Sequence, residues 1–317
     1  MSLLSNLFSS ITTAVNTLVS DLDNVVVGTW GNDTLTGNNT DQLILGGPGN
    51  DLINGGSGSD FIVGGFGNDT LHGNDGNDII LGGWGNDSIV PGPGNDIVFG
   101  GPGNDTIEGN DGNDTIYGGL GNDSMVGGPG TDLIYGGAGN NTIHGNDGND
   151  SIYGGIGNDS IVGGPGNDVI HGGGGHDTIQ GNSDNDLLYA DCGNDSLYGG
   201  TGNDTLVAGA GSSTMTGGNG HDVFQFTSVI AGVDKITDFT HGGANGDTLN
   251  ISNILQGYHA GTSVVADYVK FVQTATGSTL EVNTDGHGND FHAVANLNID
   301  LSHLTVASLV ADGSLVL

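Results

Sequence analysis

Gly100-Gly101-Pro102-Gly103-Asn104-Asp105-Thr106-Ile107-Glu108 runs straight into Gly109-Asn110-Asp111-Gly112-Asn113-Asp114-Thr115-Ile116-Tyr117, two copies of one nine-residue unit. Working outward, the frame holds from Gly28 to Gln225, twenty-two copies of G-G-x-G-N-D-x-(apolar)-x with no insertion or deletion. The eighth slot is apolar in every copy, from Leu35, Ile44 and Ile53 to Leu206, Met215 and Phe224. Nine residues cannot enclose a core alone, so neighbouring units must stack and share one. The expected fold is an all-β solenoid of eleven coils, two repeats to a coil.

Within a unit, Gly at slots one and four marks tight turns that need positive φ or close backbone approach. Slots seven to nine, rich in Thr, Ile, Val and Tyr, read as a three-residue strand. A side-chain period of two turns slot eight inward and slots seven and nine outward. Successive repeats then fall in opposite sheets.

Slot six is acidic in nineteen copies: Asp33, Asp51, Asp60, Asp69, Asp78, Asp87, Asp96, Asp105, Asp114, Asp123, Asp132, Asp150, Asp159, Asp168, Asp177, Asp186, Asp195, Asp204 and Asp222. Gln42, Asn141 and Ser213 take the other three places. Stacking puts these carboxylates in columns at about 4.8 Å per strand. Such a column repels itself unless a cation lies between coils. Carboxylate and carbonyl oxygens in a flexible loop suit Ca2+ better than Mg2+.

The whole composition agrees. The 317 residues include 65 Gly, and 37 acids face only Lys235 and Lys270, for a net charge of -35. A basic surface for nucleic acid or anionic membrane is absent. The single cysteine, Cys192, excludes a disulfide framework. No apolar run approaches a membrane span, and the apolar N-terminal stretch has no Lys or Arg ahead of it, unlike a Sec-type signal.

Gly46-Gly47-Pro48-Gly49-Asn50-Asp51-Leu52-Ile53 and Gly100 to Ile107 resemble the RTX repeats of proteins exported by bacterial type I secretion, whose unit is G-G-x-G-x-D-x-U-x. The resemblance covers 28–225 and implies a right-handed parallel β-roll with Ca2+ held between successive loops. It leaves the sites beside Gln42, Asn141 and Ser213 without the family's ligand, and makes the end loops around Asp33 and Asp222 half-sites. Residues 226–317 resemble a type I secretion target domain, through Val233 to Phe239, Gly246 to Ile251 and Ala311 to Leu317. Lys270–Thr274 and Ser278–Asn283 flank a Gly and read as a hairpin, so this segment is expected to form a small β-rich cap. Ahead of the roll, Leu4, Phe8, Ile11, Val15, Leu18 and Leu22 at 4-3-4-3-4 spacing predict an amphipathic helix or cap over 1–27.

Sorting the repeats by sheet separates two surfaces. In the set starting at Gly28, slot seven is a hydroxyl ladder: Thr34, Thr70, Ser88, Thr106, Ser124 and Thr142 among others. In the set starting at Gly37, slots seven and nine include Phe61, Ile79, Leu81, Ile97, Phe99, Tyr117, Leu133, Tyr135, Tyr153, Leu187 and Tyr189. A strand buried on one side alternates, whereas a continuous apolar run marks one covered on both. That sheet is therefore the candidate assembly face. Slot three of the following loops is also often apolar, as at Trp30, Phe66, Trp84 and Leu120.

The expected function is a secreted Ca2+-binding protein that folds on export through type I secretion machinery. It would act as a self-associating structural component outside the cell. The alternatives are ice or carbohydrate binding on the Thr/Ser or Tyr ladder, and a monomeric Ca2+ buffer. No G-K-[ST] phosphate loop occurs, and Ser, His and Asp are too abundant for any triad to stand out, so an enzyme is not expected.

Overall fold

The computed structural model describes residues 24–229, 232–242, 246–255, 258–259, 263–287, 290–301 and 304–317. Two compact units divide the chain, Met1–Gly155 and Ile156–Leu317. Each is a parallel β-solenoid made of the same coil.

In the first unit, one sheet carries Val25–Val27, Leu43–Pro48, Phe61–Phe66, Ile79–Trp84, Ile97–Pro102, Thr115–Leu120 and Leu133–Ala138. The other carries Thr34–Thr36, Leu52–Ser57, Thr70–Asp75, Ser88–Val90, Thr106–Glu108, Ser124–Val126 and Thr142–His144. Every pairing joins residue i to i+18: Ile97 to Thr115, Val98 to Ile116, Phe99 to Tyr117. Two nine-residue repeats thus make one coil, and the frame sets the register.

In each unit the core is built from the slot-eight side chains. Twenty-one of them, from Ile44 to Phe224, are fully buried; Leu35, in the first coil, is only partly covered. Removing each such aliphatic chain from water contributes about 1.5–3 kcal/mol, enough to offset the ordering of a short strand only because every repeat supplies one.

The turns depend on backbone that few residues tolerate. Gly65 has φ of 120°, and a Cβ there would strike the carbonyl of Gly47 in the preceding coil. Where slot two is not Gly it can be Asn: Asn74, Asn110 and Asn146 sit at φ of 72°, 71° and 74°. Asn enters this left-handed region more readily than other side chains. That explains how Gly-Asn-Asp-Gly-Asn-Asp, recurring at Gly73, Gly109 and Gly145, fits the same turn.

The second unit repeats the arrangement. One sheet holds Val169–Gly175, Leu187–Tyr189, Thr205–Ala208, Val223–Phe226, Thr248–Asn250 and Leu315–Val316. Its partner holds Ser160–Pro165, Thr178–Ser183, Ser196–Thr201, Thr214–Asn219, Asp234–Ile236 and His292–Leu297. Val269–Gln273 and Ser278–Val282 form an antiparallel hairpin on the end of that second sheet, with Lys270 paired to Glu281 at 2.8 Å. The only α-helix among the described residues is Val306–Ala311, capped by Thr305.

Both boundaries drawn from the strict nine-residue frame shift. Residues 1–23 lie outside the described residues, and with them Leu4 to Leu22 of the expected amphipathic helix. Val25–Val27, counted within that helix segment, is instead a strand paired with Leu43–Leu45. Three successive β-branched residues favour it. At the other end, the sheets run past Gln225: Thr214 pairs with Lys235 and Val223 with Thr248. Longer loops break the nine-residue count there while leaving the strand sequence intact.

Candidate metal centre

Each loop delivers its slot-six side chain to the inside of the turn, where the two carboxylate oxygens meet different fates. Asp105, 1% exposed, accepts the backbone N–H of Asp87 through Oδ1 at 2.9 Å. The same bond recurs at 2.7–2.8 Å from Asp69 to Asp87, Asp78 to Asp96 and Asp96 to Asp114. Oδ2 accepts no hydrogen bond in Asp51, Asp60, Asp69, Asp78, Asp87, Asp96, Asp105, Asp114, Asp123 and Asp132 of the first unit, nor in Asp177, Asp186, Asp204 and Asp222 of the second. Asp150, Asp159 and Asp168 are buried at the same slot.

A buried, unsatisfied ionised oxygen is expensive, and here it recurs at nearly every turn. Burial pushes these carboxyls up, against the opposing pull of the backbone N–H. Asp69, Asp87, Asp96, Asp105 and Asp132 are raised to about 6, and Asp78 and Asp114 to about 7. Asp186 reaches about 8, where burial is joined by repulsion from Asp168, Asp204 and Asp184.

The free oxygen faces a carbonyl. A Cβ built on Gly46 would lie 2.5 Å from Asp51 Oδ2 and 2.6 Å from the carbonyl oxygen of Gly64 in the next coil. Glycine at slot one therefore keeps clear a small volume lined by a carboxylate oxygen and a backbone oxygen from the following coil. Among the described residues no three His, Cys, Asp or Glu side chains converge. The donors on offer are hard oxygens drawn from loop backbone and one carboxylate per turn, the set that Ca2+ accepts and soft metals do not.

The ends of the columns differ. Asp33 Oδ2 accepts the backbone N–H of Thr29 at 2.5 Å, and Gln42 Oε1 that of Asn38 at 2.6 Å. Inside the column, Asp195 is approached by Ser213 Oγ at 3.5 Å.

Two features were missed by sequence reasoning. Asp234 and Asp247 continue the slot-six columns, accepting the N–H groups of Ser213 at 2.8 Å and Asp222 at 3.1 Å. Burial raises both. Their signal was Asp followed two residues later by Ile236 or Leu249, displaced from the frame by longer loops. The slot-five Asn is the second. Asn86 Oδ1 accepts the backbone N–H of Asn104 at 2.7 Å, and Asn104 Oδ1 that of Asn122 at 2.7 Å. This ladder runs opposite to the Asp ladder, so each loop is stitched to both neighbours.

On the candidate assembly face, Phe61, Ile79, Ile97 and Phe99 are 36–40% exposed. Leu81, Tyr117, Leu133, Tyr135, Tyr153, Leu187 and Tyr189 are partly covered. Phe99, Tyr117, Tyr135 and Tyr153 stack in a continuous file at 4.7, 4.9 and 5.0 Å between centroids. His171 stacks on Tyr189 at 4.2 Å. At slot three of the adjoining loops, past the positive-φ turns at Gly65 and Gly83, Phe66 and Trp84 are also exposed. They contact each other at 6.3 Å.

A parallel solenoid with a buried, half-satisfied carboxylate and a facing carbonyl at turn after turn is the architecture of a calcium-binding repeat protein. The chain belongs to the RTX calcium-binding nonapeptide repeat family, whose model matches residues 20–53, 27–62, 54–89, 90–125, 126–161, 162–197 and 198–225. It binds multiple Ca2+ ions. No curated protein sequence matches the chain.

Among solved structures it is similar to a hyperactive, Ca2+-dependent, β-helical antifreeze protein from an Antarctic bacterium. The two share 21% identity over 72% of this chain and 85% of that one, with a TM-score of 0.41. It is also similar to the AlgE6R3 subunit of the Azotobacter vinelandii mannuronan C5-epimerase, at 21% identity over 42% of this chain and 79% of that one, with a TM-score of 0.30. Neither likeness is strong enough to bear on what this chain does.

Proposed function

We propose that the slot-six aspartates, Asp51 through Asp222 of the repeat frame, are the calcium ligands, each giving Oδ2 together with loop carbonyl oxygens. Asp234 and Asp247 extend the set, and Asp33 ends it. The observation that carries this reading is the recurrent buried Oδ2 with no hydrogen bond. A bound cation would cancel the repulsion within each column and bond one coil to the next, so ligand binding is folding free energy.

The protein is on this reading secreted, and calcium times its folding. In low cytosolic Ca2+ the acidic chain stays extended for passage through type I machinery. Outside, millimolar Ca2+ exceeds the ~10⁻⁴–10⁻³ M dissociation constants of extracellular sites. At tenfold excess each site adds about 1.4 kcal/mol, and the sites sum. Circular dichroism tests this: Ca2+ converts coil to β, and a chain that keeps its full β signal in excess EDTA refutes it.

The folded solenoid serves as a self-associating structural component, as a layer, fibre or matrix, through the apolar sheet. Its occupant is a second copy. The supporting observation is the exposed row Phe61, Ile79, Ile97 and Phe99. Slot nine of the hydroxyl sheet, with Asn54, His72, Val90 and Glu108, is too irregular for a lattice-matched ice face. Light scattering and electron microscopy in Ca2+ should show assemblies that Phe99→Glu with Tyr135→Glu abolishes; an unchanged particle size would sink the interface.

A further inference from the structure

We infer that Asn141 is a built-in substitute for a calcium ion, a rung at which the side-chain amide joins the coils without metal. The inference rests on the reading of the slot-six aspartates as ligands.

At an ordinary rung the two carboxylate oxygens divide the work. Asp105 Oδ1 takes the Asp87 N–H, and Oδ2 is left facing the space over Gly100 that it shares with the carbonyl of Gly118, 2.6 Å from where a Cβ would stand. Asn141 keeps the first role unchanged, since its Oδ1 accepts the backbone N–H of Asp123 at 3.0 Å. In the second role the chemistry reverses. Its Nδ2 stands over Gly136, 2.8 Å from the corresponding Cβ position, and donates to the carbonyls of Gly139 at 3.3 Å and Gly154 at 3.4 Å. Gly154 O is the counterpart of Gly118 O, two rungs on.

The partners fix which way the amide points. A flipped group would set N–H against N–H on one side and oxygen against two carbonyls on the other. In this orientation an NH2 donor occupies the place of Oδ2 and bonds the Gly154 carbonyl, whose counterpart Gly118 O stands beside the free Oδ2 of Asp105. The group is neutral, so it adds no repulsion to the column, and it presents hydrogens where a cation needs lone pairs.

Ser213, the other interior departure in this eighteen-residue series, meets the same need by another route. Its Oγ accepts the Asp195 N–H at 3.1 Å and donates towards Asp195 Oδ2 at 3.5 Å, so Asp195 lacks the orphaned oxygen of its neighbours. Both interior gaps fall in the set beginning at Asp33; the set beginning at Gln42 is acidic from Asp60 to Asp222. The two loop edges therefore carry different calcium loads.

The test counts ions. Full-length wild-type, Asn141→Asp and Asp105→Asn proteins are dialysed against excess CaCl2, and bound Ca2+ per chain is measured by elemental analysis. Asn141→Asp is expected to hold at least one more ion than wild type, and Asp105→Asn at least one fewer. Amide hydrogen exchange during EDTA titration should show Gly139 and Ile143 losing protection earlier in Asn141→Asp than in wild type. An unchanged ion count in a folded Asn141→Asp overturns the inference. Should that variant fail to fold, Asp105→Asn decides: a fall in bound ions with the β signal kept supports amide substitution, and an unchanged count overturns it. A wild-type chain that holds no Ca2+ at all overturns the ligand reading itself, a result distinct from a wild type that binds many ions while Asn141→Asp adds none.

Discussion

The backbone N–H of Asp87 donates to Oδ1 of Asp105 at 2.9 Å, while Oδ2 of the same buried carboxylate accepts no hydrogen bond. One oxygen of the pair is structural, and on the proposed reading the other is the one offered to a cation. Stability of the calcium-free and calcium-loaded states should therefore respond to different conditions.

The first consequence concerns pH. Burial raises Asp69, Asp87, Asp96 and Asp105 to about 6 and Asp78 and Asp114 to about 7, from 3.8. Between these values the folded chain holds protons that the unfolded chain has released, so calcium-free stability falls as pH rises. The cost is absent below about 4 and, with Asp186 at about 8, complete only above about 8. In EDTA, lowering pH from 7.5 to 5 should restore β structure by circular dichroism; a chain that loses structure on acidification contradicts the burial argument.

Calcium reverses that dependence. A ligand carboxyl must lose its proton to take the ion, so binding at pH 6 should release protons and weaken as acid is added. A pH indicator in weak buffer measures the release directly. No release at pH 6, with Ca2+ bound, would place the ions away from the raised aspartates.

Core and surface of one strand give a sharp contrast. Ile107 is fully buried and its neighbour Thr106 is exposed. Ile107→Ala should cost about 2–5 kcal/mol and Thr106→Ala less than about 0.5 kcal/mol in chemical denaturation with excess Ca2+. Equal losses would mean that slot eight does not carry the core.

Slot five tests the second ladder. Asn104→Ala removes the acceptor for the Asn122 N–H on an exposed loop edge. The expected loss is about 1 kcal/mol with no change in bound Ca2+. A lower ion count in that variant would make slot five a ligand position.

The left-handed Asn turn is the last. Asn110 sits at φ of 71°, so Asn110→Gly should be near neutral, whereas Asn110→Val should cost about 1–3 kcal/mol. Thermal unfolding in Ca2+ distinguishes them, and equal midpoints would remove backbone strain as the reason for Asn.

Much of this was legible because the period itself encodes the register. Once Ile107 and Met125 are known to be eighteen residues apart in an unbroken frame, their pairing needs no further information. The carboxylate column followed from the same count. The division of labour between Oδ1 and Oδ2 did not, because composition gives a residue type and not which atom meets which neighbour. Asn104 was visible in every consensus, yet its ladder needs the reach of an amide across 4.8 Å to be seen. Asp234 and Asp247 were hidden by loop insertions, which move a residue in sequence without moving it in the coil. The aromatic file from Phe99 to Tyr153 was readable as apolar slots, but its stacking depends on ring rotamers.

The opposed Asn and Asp ladders leave the chain indifferent to its own length. Coils that carry Asn at slot five and Asp at slot six, such as those of Asn86, Asn104 and Asn122, present the same donors and acceptors on both sides. Excising 100–117 would set the Asp87 N–H against Asp123 Oδ1 and the Asn122 N–H against Asn86 Oδ1, bonds of the kind each already makes. Addition or loss of a whole coil is a silent edit, whereas a shift of nine residues exchanges the hydroxyl and aromatic faces from that point onward.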